Sequence, residues 1–239
     1  MSQRTLASQS TLSARIDHLV VMATNLVEGE RWCQAVLGIT PGPGGKHAQM
    51  GTHNRLFYIG SENFAQTYFE IIAIDPEGNT PDQKRWFDMD DPALRERIAS
   101  EGPQLIHFVV AVSDVAQAVH ELAALGIDRG LPRAASRPTP QGTLSWQITV
   151  RSDGQRLFDG CLPTLIQWDG PHPSSGMQDS AVTLRALRLT HPLAGQLEAA
   201  FSVIGLEGVS VAPGAAELQA ELTCPVGAVT LRSGLRPKA

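Results

Sequence analysis

Two stretches of the chain repeat the same order of apolar and polar positions. Residues 16–22 and residues 105–111 are short β-rich runs in which a histidine stands third. Each run is followed by an Asn or Asp that can cap a helix, by apolar residues at helical spacing, and by Gly38 or Gly126 at the helix end. Because a pattern that recurs at long spacing marks a repeated supersecondary unit, the chain is predicted to open twice with a strand and a helix.

Further strand-like runs complete each copy. The first copy continues with residues 54–59 and 67–74, and the second with residues 144–150 and 162–168, all bounded by turn residues. Each copy therefore predicts a β-α-β-β-β module, and two modules in tandem predict an α+β fold. A parallel α/β sheet would instead need a helix after every strand.

A fainter third copy follows a stretch that contains several Pro and Ser residues. Residues 183–190 indicate a strand and a helix ends at Gly205, but the strand lacks a histidine at the matching position. The segment between the first two copies is polar and holds one short helix candidate that begins at Pro92. The predicted division is a flexible tail at 1–13, a first module at 14–75, a linker with a short helix at 76–104, a second module at 105–170, a linker at 171–180 and a degenerate third β-α-β unit at 181–239.

Three polar residues stand inside these apolar strands. His18 and His107 occupy equivalent positions in the two copies, and Glu70 lies in the middle of an apolar run. A buried carboxylate is costly unless it has a cation, a donor cluster or water, and Arg55 is one alternative partner for Glu70. If the modules pair about a pseudo-twofold axis, these residues meet near Gln167. Two histidines and a carboxylate with open positions are the usual ligands of a catalytic divalent metal.

The repeat resembles the vicinal-oxygen-chelate superfamily, which includes glyoxalases, bleomycin-resistance proteins and extradiol dioxygenases, and it is most similar to the glyoxalase-like branch. The resemblance is strong over residues 14–170 and weaker beyond them. It implies a curved mixed β-sheet cup with helices packed outside, and a divalent metal (Zn, Ni, Mn or Fe) held by His18, Glu70, His107 and Gln167. The segments that carry the resemblance are residues 16–20, 45–47, 51–56, 68–76, 85–87 and 105–109.

The resemblance also implies a function. The protein would be a metal-dependent lyase, isomerase or dioxygenase that acts on a small oxygenated metabolite, with Glu70 and His53 as catalytic residues. His47, His53, Asn54 and Trp146 would bind the substrate, although a turn role for His53 and Asn54 is equally consistent with the sequence. A glutamine replaces the carboxylate usual at position 167, so metal ligation and proton transfer would compete for Glu70.

Two alternatives remain open at this point. In the first, the protein binds or sequesters a small molecule without metal, as bleomycin-resistance proteins do, and Glu70 and the histidines only form hydrogen bonds. In the second, the C-terminal third copy makes the chain mainly a dimerising module, because leftover sheet edges favour pairing. A homodimer is the assembly expected in that case.

Composition removes several other classes of function. The formal net charge is -5 and the basic residues are scattered, so the electrostatic footprint of a nucleic-acid-binding protein is missing. The three cysteines stand far apart without a C-x-x-C pair, which is typical of the cytoplasm. The N-terminal segment lacks the apolar run of a signal peptide, and no window approaches a membrane span. A cytoplasmic protein with a small-molecule partner, and with no nucleic-acid or membrane partner, is therefore expected.

Overall fold

The computed structural model describes residues 12–139 and 142–234. The first β-α-β-β-β module holds strand β1 and helix α1, followed by strands β2, β3 and β4. Asn25 caps α1 by accepting a hydrogen bond from the Glu28 N–H, and Gly38 ends the helix in the left-handed conformation that glycine favours. The bounds are β1 (Ala14–Met22), α1 (Leu26–Leu37), β2 (Lys46–His47), β3 (Thr52–Tyr58) and β4 (Tyr68–Ile74).

A short helix, α2 (Pro92–Glu101), precedes the second module, which has the same element order. Strand β6 was not located by the sequence pattern because it contains two prolines and little apolar alternation. It lies at the sheet edge, where a missing N–H disrupts no ladder. The bounds are β5 (Gln104–Val112), α3 (Val115–Ala124), β6 (Leu131–Thr139), β7 (Gly142–Val150) and β8 (Thr164–Asp169).

The two modules share one eight-stranded sheet in the order β2-β3-β4-β1-β5-β8-β7-β6. Strands β1 and β5 pair antiparallel at its centre, and each also pairs in parallel with the last strand of its own module. Arg137 of β6 lies against Gly45 beside β2, so the two edges of the curved sheet approach each other. The predicted α+β fold, a mixed sheet cup with helices outside, is confirmed.

Two apolar clusters cover the two faces of this sheet. The outer cluster includes side chains from α1, α3 and α4, whereas the concave face is covered without them. Much of the concave cluster comes from the segment between the modules, which is therefore part of the interior as well as a connection. Burying each large side chain of this kind is worth about 1.5–3 kcal/mol. The residues that it contributes are Trp86, Phe87, Met89, Leu94 and Ile98.

The C-terminal unit forms a separate four-stranded sheet in the order β10-β9-β11-β12. Its first two strands are parallel neighbours joined by α4, which is a β-α-β unit followed by a hairpin. This pairing differs from the first two modules, where the last strand returns to the first. The bounds are β9 (Thr183–Thr190), α4 (Ala194–Ile204), β10 (Val209–Ala212), β11 (Glu217–Cys224) and β12 (Gly227–Arg232).

The C-terminal unit packs on the outer face of the large sheet. Phe201 of α4 meets Phe108 of β5 edge-on, with ring centroids 6.5 Å apart, and α4 also contacts α3. Within residues 12–139 and 142–234, no helix has the length and apolar character to span a bilayer. Residues 1–11 of the predicted N-terminal tail lie outside the described residues.

Candidate active site

A β-bulge in β1 brings two neighbouring side chains together. Strand pairing passes from Ile16 opposite Val110 to His18 opposite Val109, so Asp17 is the extra residue. In a regular strand, Asp17 and His18 would point to opposite faces. In this bulge, Oδ1 of Asp17 lies 2.6 Å from Nδ1 of His18. The bulge therefore creates a buried carboxylate–imidazole pair.

Asp17 accepts two further hydrogen bonds from residues distant in sequence. Its Oδ2 lies 2.8 Å from Trp168 Nε1 and 2.8 Å from His172 Nε2. Burial alone would raise the pKa of Asp17, but the hydrogen bonds from His172 and His18 hold that pKa well below its usual range. Asp17 is therefore ionised and can only accept, so Nδ1 of His18 donates to it and Nε2 is left to face the site.

Glu70 lies beside this pair on β4. Its Oε2 is 3.6 Å from His18 Nε2, and its Oε1 accepts a 2.6 Å hydrogen bond from Asn54 Nδ2. The Asn54 side chain is oriented in turn, because its Oδ1 accepts from the Gly45 N–H at 2.8 Å. Arg55, the alternative partner considered for Glu70, pairs with Glu30 at 2.5 Å instead.

The His18–Glu70 contact has a chemical consequence. A separation of 3.6 Å is longer than a normal hydrogen bond, so neither atom is fully satisfied by the other. Because Nδ1 of His18 donates to Asp17, Nε2 is the ring nitrogen that is left to exchange a proton or to contact a ligand. Tyr68 stacks on the His18 ring with centroids 4.6 Å apart and limits its movement. Both side chains of the pair are buried, with about 6% of each exposed.

His47 closes the Glu70 side of the site. Its Nδ1 lies 3.0 Å from Thr52 Oγ1, and its Nε2 lies 3.4 Å from Asn54 Nδ2. Burial lowers the pKa of His47 to about 4, so its ring is neutral near pH 7. The structure thus places His47 and Asn54, both expected to bind substrate, next to Glu70.

His107 lies on the same concave face, but both of its ring nitrogens are used within the protein. Its Nδ1 is 3.0 Å from the Gly160 carbonyl oxygen, and its Nε2 accepts from the Thr164 N–H at 3.1 Å. Burial lowers the pKa of His107 well below its ordinary value, so the ring is neutral. His107 therefore fastens β5 to the segment that leads into β8, with no nitrogen free for a metal.

Gln167 and His53 lie on the outer face of the sheet. Gln167 Oε1 accepts a 2.8 Å hydrogen bond from the Val115 N–H at the start of α3. His53 pairs with Ala73, whose side chain points to the other face of β4 from that of Glu70. The Nδ1 atom of His53 is 3.8 Å from Asp75 Oδ1. Strand alternation therefore separates both residues from the site, contrary to the sequence-based expectation.

Trp146 lies on the concave face, as expected for a residue lining the cup. It is buried in the concave apolar cluster, and its ring centroid is 5.4 Å from that of Trp168. Trp168 also donates to Asp17, so Trp146 supports the site through this neighbouring indole.

The predicted metal-ligand set does not fit this geometry. Among the residues that the structure describes, no three His, Cys, Asp or Glu side chains are arranged to hold a metal ion. His18 and Glu70 are adjacent, but His107 is saturated by hydrogen bonds and Gln167 faces α3. What the structure assembles is a buried acid–base group in which Asp17 is hydrogen-bonded to His18 and Glu70 lies beside the other ring nitrogen of His18.

Sequence reasoning missed three residues at this site. Asp17 was overlooked because regular strand alternation would put its side chain on the other face of the sheet from His18. The bulge brings the two side chains together. His172 stands between prolines and gave no signal of its contact with Asp17. Arg137 lies on a strand that was not located, although Gly45, against which it rests, belongs to a segment that carried the family resemblance.

Comparisons with known proteins agree with this architecture. The amino-acid sequence matches the family model described as a glyoxalase-like domain over residues 16–215. No curated protein matches the chain. A crystal structure of a hypothetical protein from Staphylococcus aureus is 14% identical, with 92% of this chain and 85% of that chain covered, at a TM-score of 0.56.

Two methylmalonyl-CoA epimerases are also similar, at lower TM-scores. The Streptomyces coelicolor enzyme, in complex with 2-nitronate-propionyl-CoA, is 16% identical, covering 67% of this chain and all (100%) of that one, with a TM-score of 0.39. The Mycobacterium tuberculosis enzyme is 12% identical over 72% of this chain and 97% of its own, with a TM-score of 0.37. Likeness at this level does not extend to substrate.

Proposed function

The chain belongs to the glyoxalase-like domain family, and we propose that it is an enzyme that moves a proton on a small oxygenated substrate. His18 and Glu70 are the paired acid–base groups of this proposal. The observation that carries it is the orientation of His18, whose Nδ1 is held by Asp17 while its Nε2 faces Glu70. A general acid or base must be held within reach of the proton that it moves, and a fixed tautomer sets which ring nitrogen does so.

The proposed step balances its protons within the pair. The Glu70 carboxylate takes a proton from the carbon beside a carbonyl group, and the His18 imidazolium gives its Nε2 proton to the carbonyl oxygen. On a substrate with a hydroxyl group on that carbon, Glu70 then gives its proton to the former carbonyl carbon of the enediol, and His18 takes the proton of the other hydroxyl group. The carbonyl group has moved to the neighbouring carbon, and both side chains have regained their starting protons. Asp17 stabilises the imidazolium, and Asn54 keeps Glu70 aimed at the substrate. Each positioned acid or base typically contributes about 10²–10⁴-fold to the rate.

This proposal assigns no step to a divalent metal, because the four expected ligands do not converge. It favours isomerase chemistry among the reactions implied by the family resemblance. A dioxygenase would require a redox metal, and His107 and Gln167 have their donor atoms committed elsewhere. Oxidation by O₂ is therefore not part of the proposed reaction.

A second candidate function is binding without catalysis. It is favoured by the apolar character of the concave face, to which Trp86, Phe87 and Met89 contribute. A protein of this kind would hold a small molecule beside Glu70 and His18 through hydrogen bonds alone. Binding without proton exchange would distinguish it from the enzyme.

Solvent exchange tests the enzyme directly. Purified protein in D₂O is incubated with dihydroxyacetone, hydroxypyruvate or lactaldehyde, and deuterium incorporation at the carbon beside the carbonyl is followed by ¹H NMR. Wild type should catalyse exchange on at least one probe, and His18→Gln and Glu70→Gln should each lose about 10²-fold or more. The exposed residues His120 and Glu198 provide the matched controls His120→Gln and Glu198→Gln.

The outcomes separate the two candidates. Exchange that survives in Glu70→Gln, or that is lost equally in the controls, would contradict the assigned roles. Binding of a probe with no exchange by wild type would support the binding protein. Exchange that requires added Zn²⁺, Ni²⁺, Mn²⁺ or Fe²⁺ and stops with a chelator would contradict the metal-independent step.

A further inference from the structure

The Arg137 guanidinium lies beside the site and, within residues 12–139 and 142–234, lacks a hydrogen-bond partner for one of its nitrogens. Arg137 projects from β6 onto Gly45, two residues before His47. Its Nη1 is buried, and among the described residues it has no hydrogen-bond partner. A buried guanidinium N–H without an acceptor is costly, so Arg137 is ready to donate a hydrogen bond to a ligand oxygen.

A second buried donor without a partner among the residues that the structure describes lies against His47, two residues after Gly45. Trp86 meets the His47 ring edge-on with centroids 5.0 Å apart, and Trp86 Nε1 also has no partner within the described part of the chain. His47 cannot serve both donors, because its nitrogens already face Thr52 Oγ1 and Asn54 Nδ2. Both orphan groups can only donate, so the missing partner must bring acceptor oxygens.

The nearby acidic groups are also committed. Glu70 uses one oxygen for Asn54 and turns the other towards His18, while Asp17 is saturated by three donors. A neutral ligand would leave the Arg137 charge uncompensated. A planar guanidinium pairs best with a carboxylate or phosphate, whose oxygens can take two N–H groups at once.

We infer that Arg137 and Trp86 form a binding site for an anionic oxygen group, carboxylate or phosphate, carried by the small molecule that reaches His18 and Glu70. The identity of that molecule as a substrate rests on the proposed function, whereas anion binding does not. The site would hold the anionic end of the ligand at the His47 side and leave its carbonyl end at the acid–base pair.

Gly45 makes room for this guanidinium. A Cβ built at Gly45 would meet Arg137 Nη1, which is the far end of a flexible side chain and can move. Gly45→Ala should therefore displace Arg137 at little cost to folding. At neighbouring Gly44, a Cβ would strike the Asn54 backbone oxygen, so that position cannot be used in the same way.

Binding of simple anions tests the inference. Wild type is titrated with L-lactate, its neutral analogue lactamide, and inorganic phosphate, and tryptophan fluorescence and thermal shift are recorded. L-lactate or phosphate should bind and lactamide should bind at least about tenfold more weakly, since a charge-assisted hydrogen bond is lost. The stronger of the two anions identifies the group as carboxylate or phosphate.

Variants assign the effect to Arg137. Arg137→Gln and Gly45→Ala should weaken anion binding by about tenfold or more, and Arg137→Lys should restore part of it. Arg133→Gln removes an exposed charge four residues earlier on the same strand and should bind like wild type. Gly45→Ala keeps the test decisive if Arg137→Gln folds poorly.

The inference is overturned if neither anion binds wild type, if lactamide matches L-lactate, or if Arg137→Gln retains wild-type affinity. Glu70→Gln separates this result from the proposed function, because it should bind the anion while losing exchange. Anion binding through Arg137 with no exchange on any probe would remove the enzyme proposal alone. Exchange on an anionic probe that Arg137→Gln leaves unchanged would remove the anion site alone.

Discussion

Replacing Asp17 with asparagine removes the charge on which the buried network depends. The wild-type carboxylate accepts from His18 Nδ1 at 2.6 Å and from Trp168 Nε1 and His172 Nε2 at 2.8 Å each. An asparagine offers one oxygen and one NH₂ group, so either a donor faces another donor or His18 must change its tautomer so that Nδ1 accepts from the amide. Losing a charged hydrogen bond costs about 1.5–3 kcal/mol, and leaving a buried donor unsatisfied costs about 1–3 kcal/mol more.

We therefore expect Asp17→Asn to lower the free energy of unfolding by about 3–5 kcal/mol, as for other broken buried charge pairs. Urea denaturation followed by tryptophan fluorescence at pH 7 measures this as a fall in the midpoint of about 1–2 M. Asp169→Asn changes an exposed aspartate at the end of β8, next to Trp168, and should stay within about 0.5 kcal/mol of wild type.

The pH dependence of the same difference gives an independent check. Because the folded-state pKa of Asp17 is depressed, its contribution is fully present above the unfolded pKa of about 4 and is lost as the pH falls further. The gap between wild type and Asp17→Asn should hold from pH 7 to about pH 5 and then narrow. A loss below about 1 kcal/mol at pH 7, or a gap that widens in acid, would refute the network as described.

Two further predictions concern residues that the structure assigns to packing and not to the reaction. His107 is neutral in the folded state because its pKa is lowered, so its contribution to stability should be fully present above about pH 6.5. Below that pH the free energy of unfolding should fall by about 1.4 kcal/mol per pH unit. His107→Gln should remove this part of the slope in urea titrations, and an unchanged slope would contradict the assignment. Gln167→Ala leaves the Val115 N–H without its acceptor and should cost about 1–2 kcal/mol, whereas a loss seen only when divalent metal is present would indicate a ligand instead.

The repeat made the scaffold predictable from sequence. A strand with a histidine, a capped helix and two later strands occurred twice, and the structure forms these elements in both places with one further strand, β2 or β6, after the helix. Within the site, the expected pairing of the two modules placed His18 near Glu70, and the two side chains lie 3.6 Å apart. The repeat was sufficient for both results because it relates whole strands, whatever the local irregularity of β1 at Asp17.

The remaining site features depend on irregular or distant contacts. The bulge at Asp17 reverses its expected face, and the contacts of His172 and Trp168 join residues more than 150 positions away from Asp17. His107 is neutral because it is buried, and its ring is held by the Gly160 carbonyl oxygen; no pattern near the histidine indicates either feature. Strand β6, which carries Arg137, lacks apolar alternation because it is an exposed edge strand. These contacts arise from tertiary structure, which local propensity and periodicity do not predict.

The most direct test of the central claim is whether His18 and Glu70 act as one acid–base unit. Deuterium exchange by the double variant His18→Gln/Glu70→Gln is compared with exchange by each single variant under the same conditions. If the two side chains share one proton and one step, the double variant should be no slower than the slower single variant, as for residues that work together. Losses that multiply in the double variant would mean that the two residues act independently and would contradict the account.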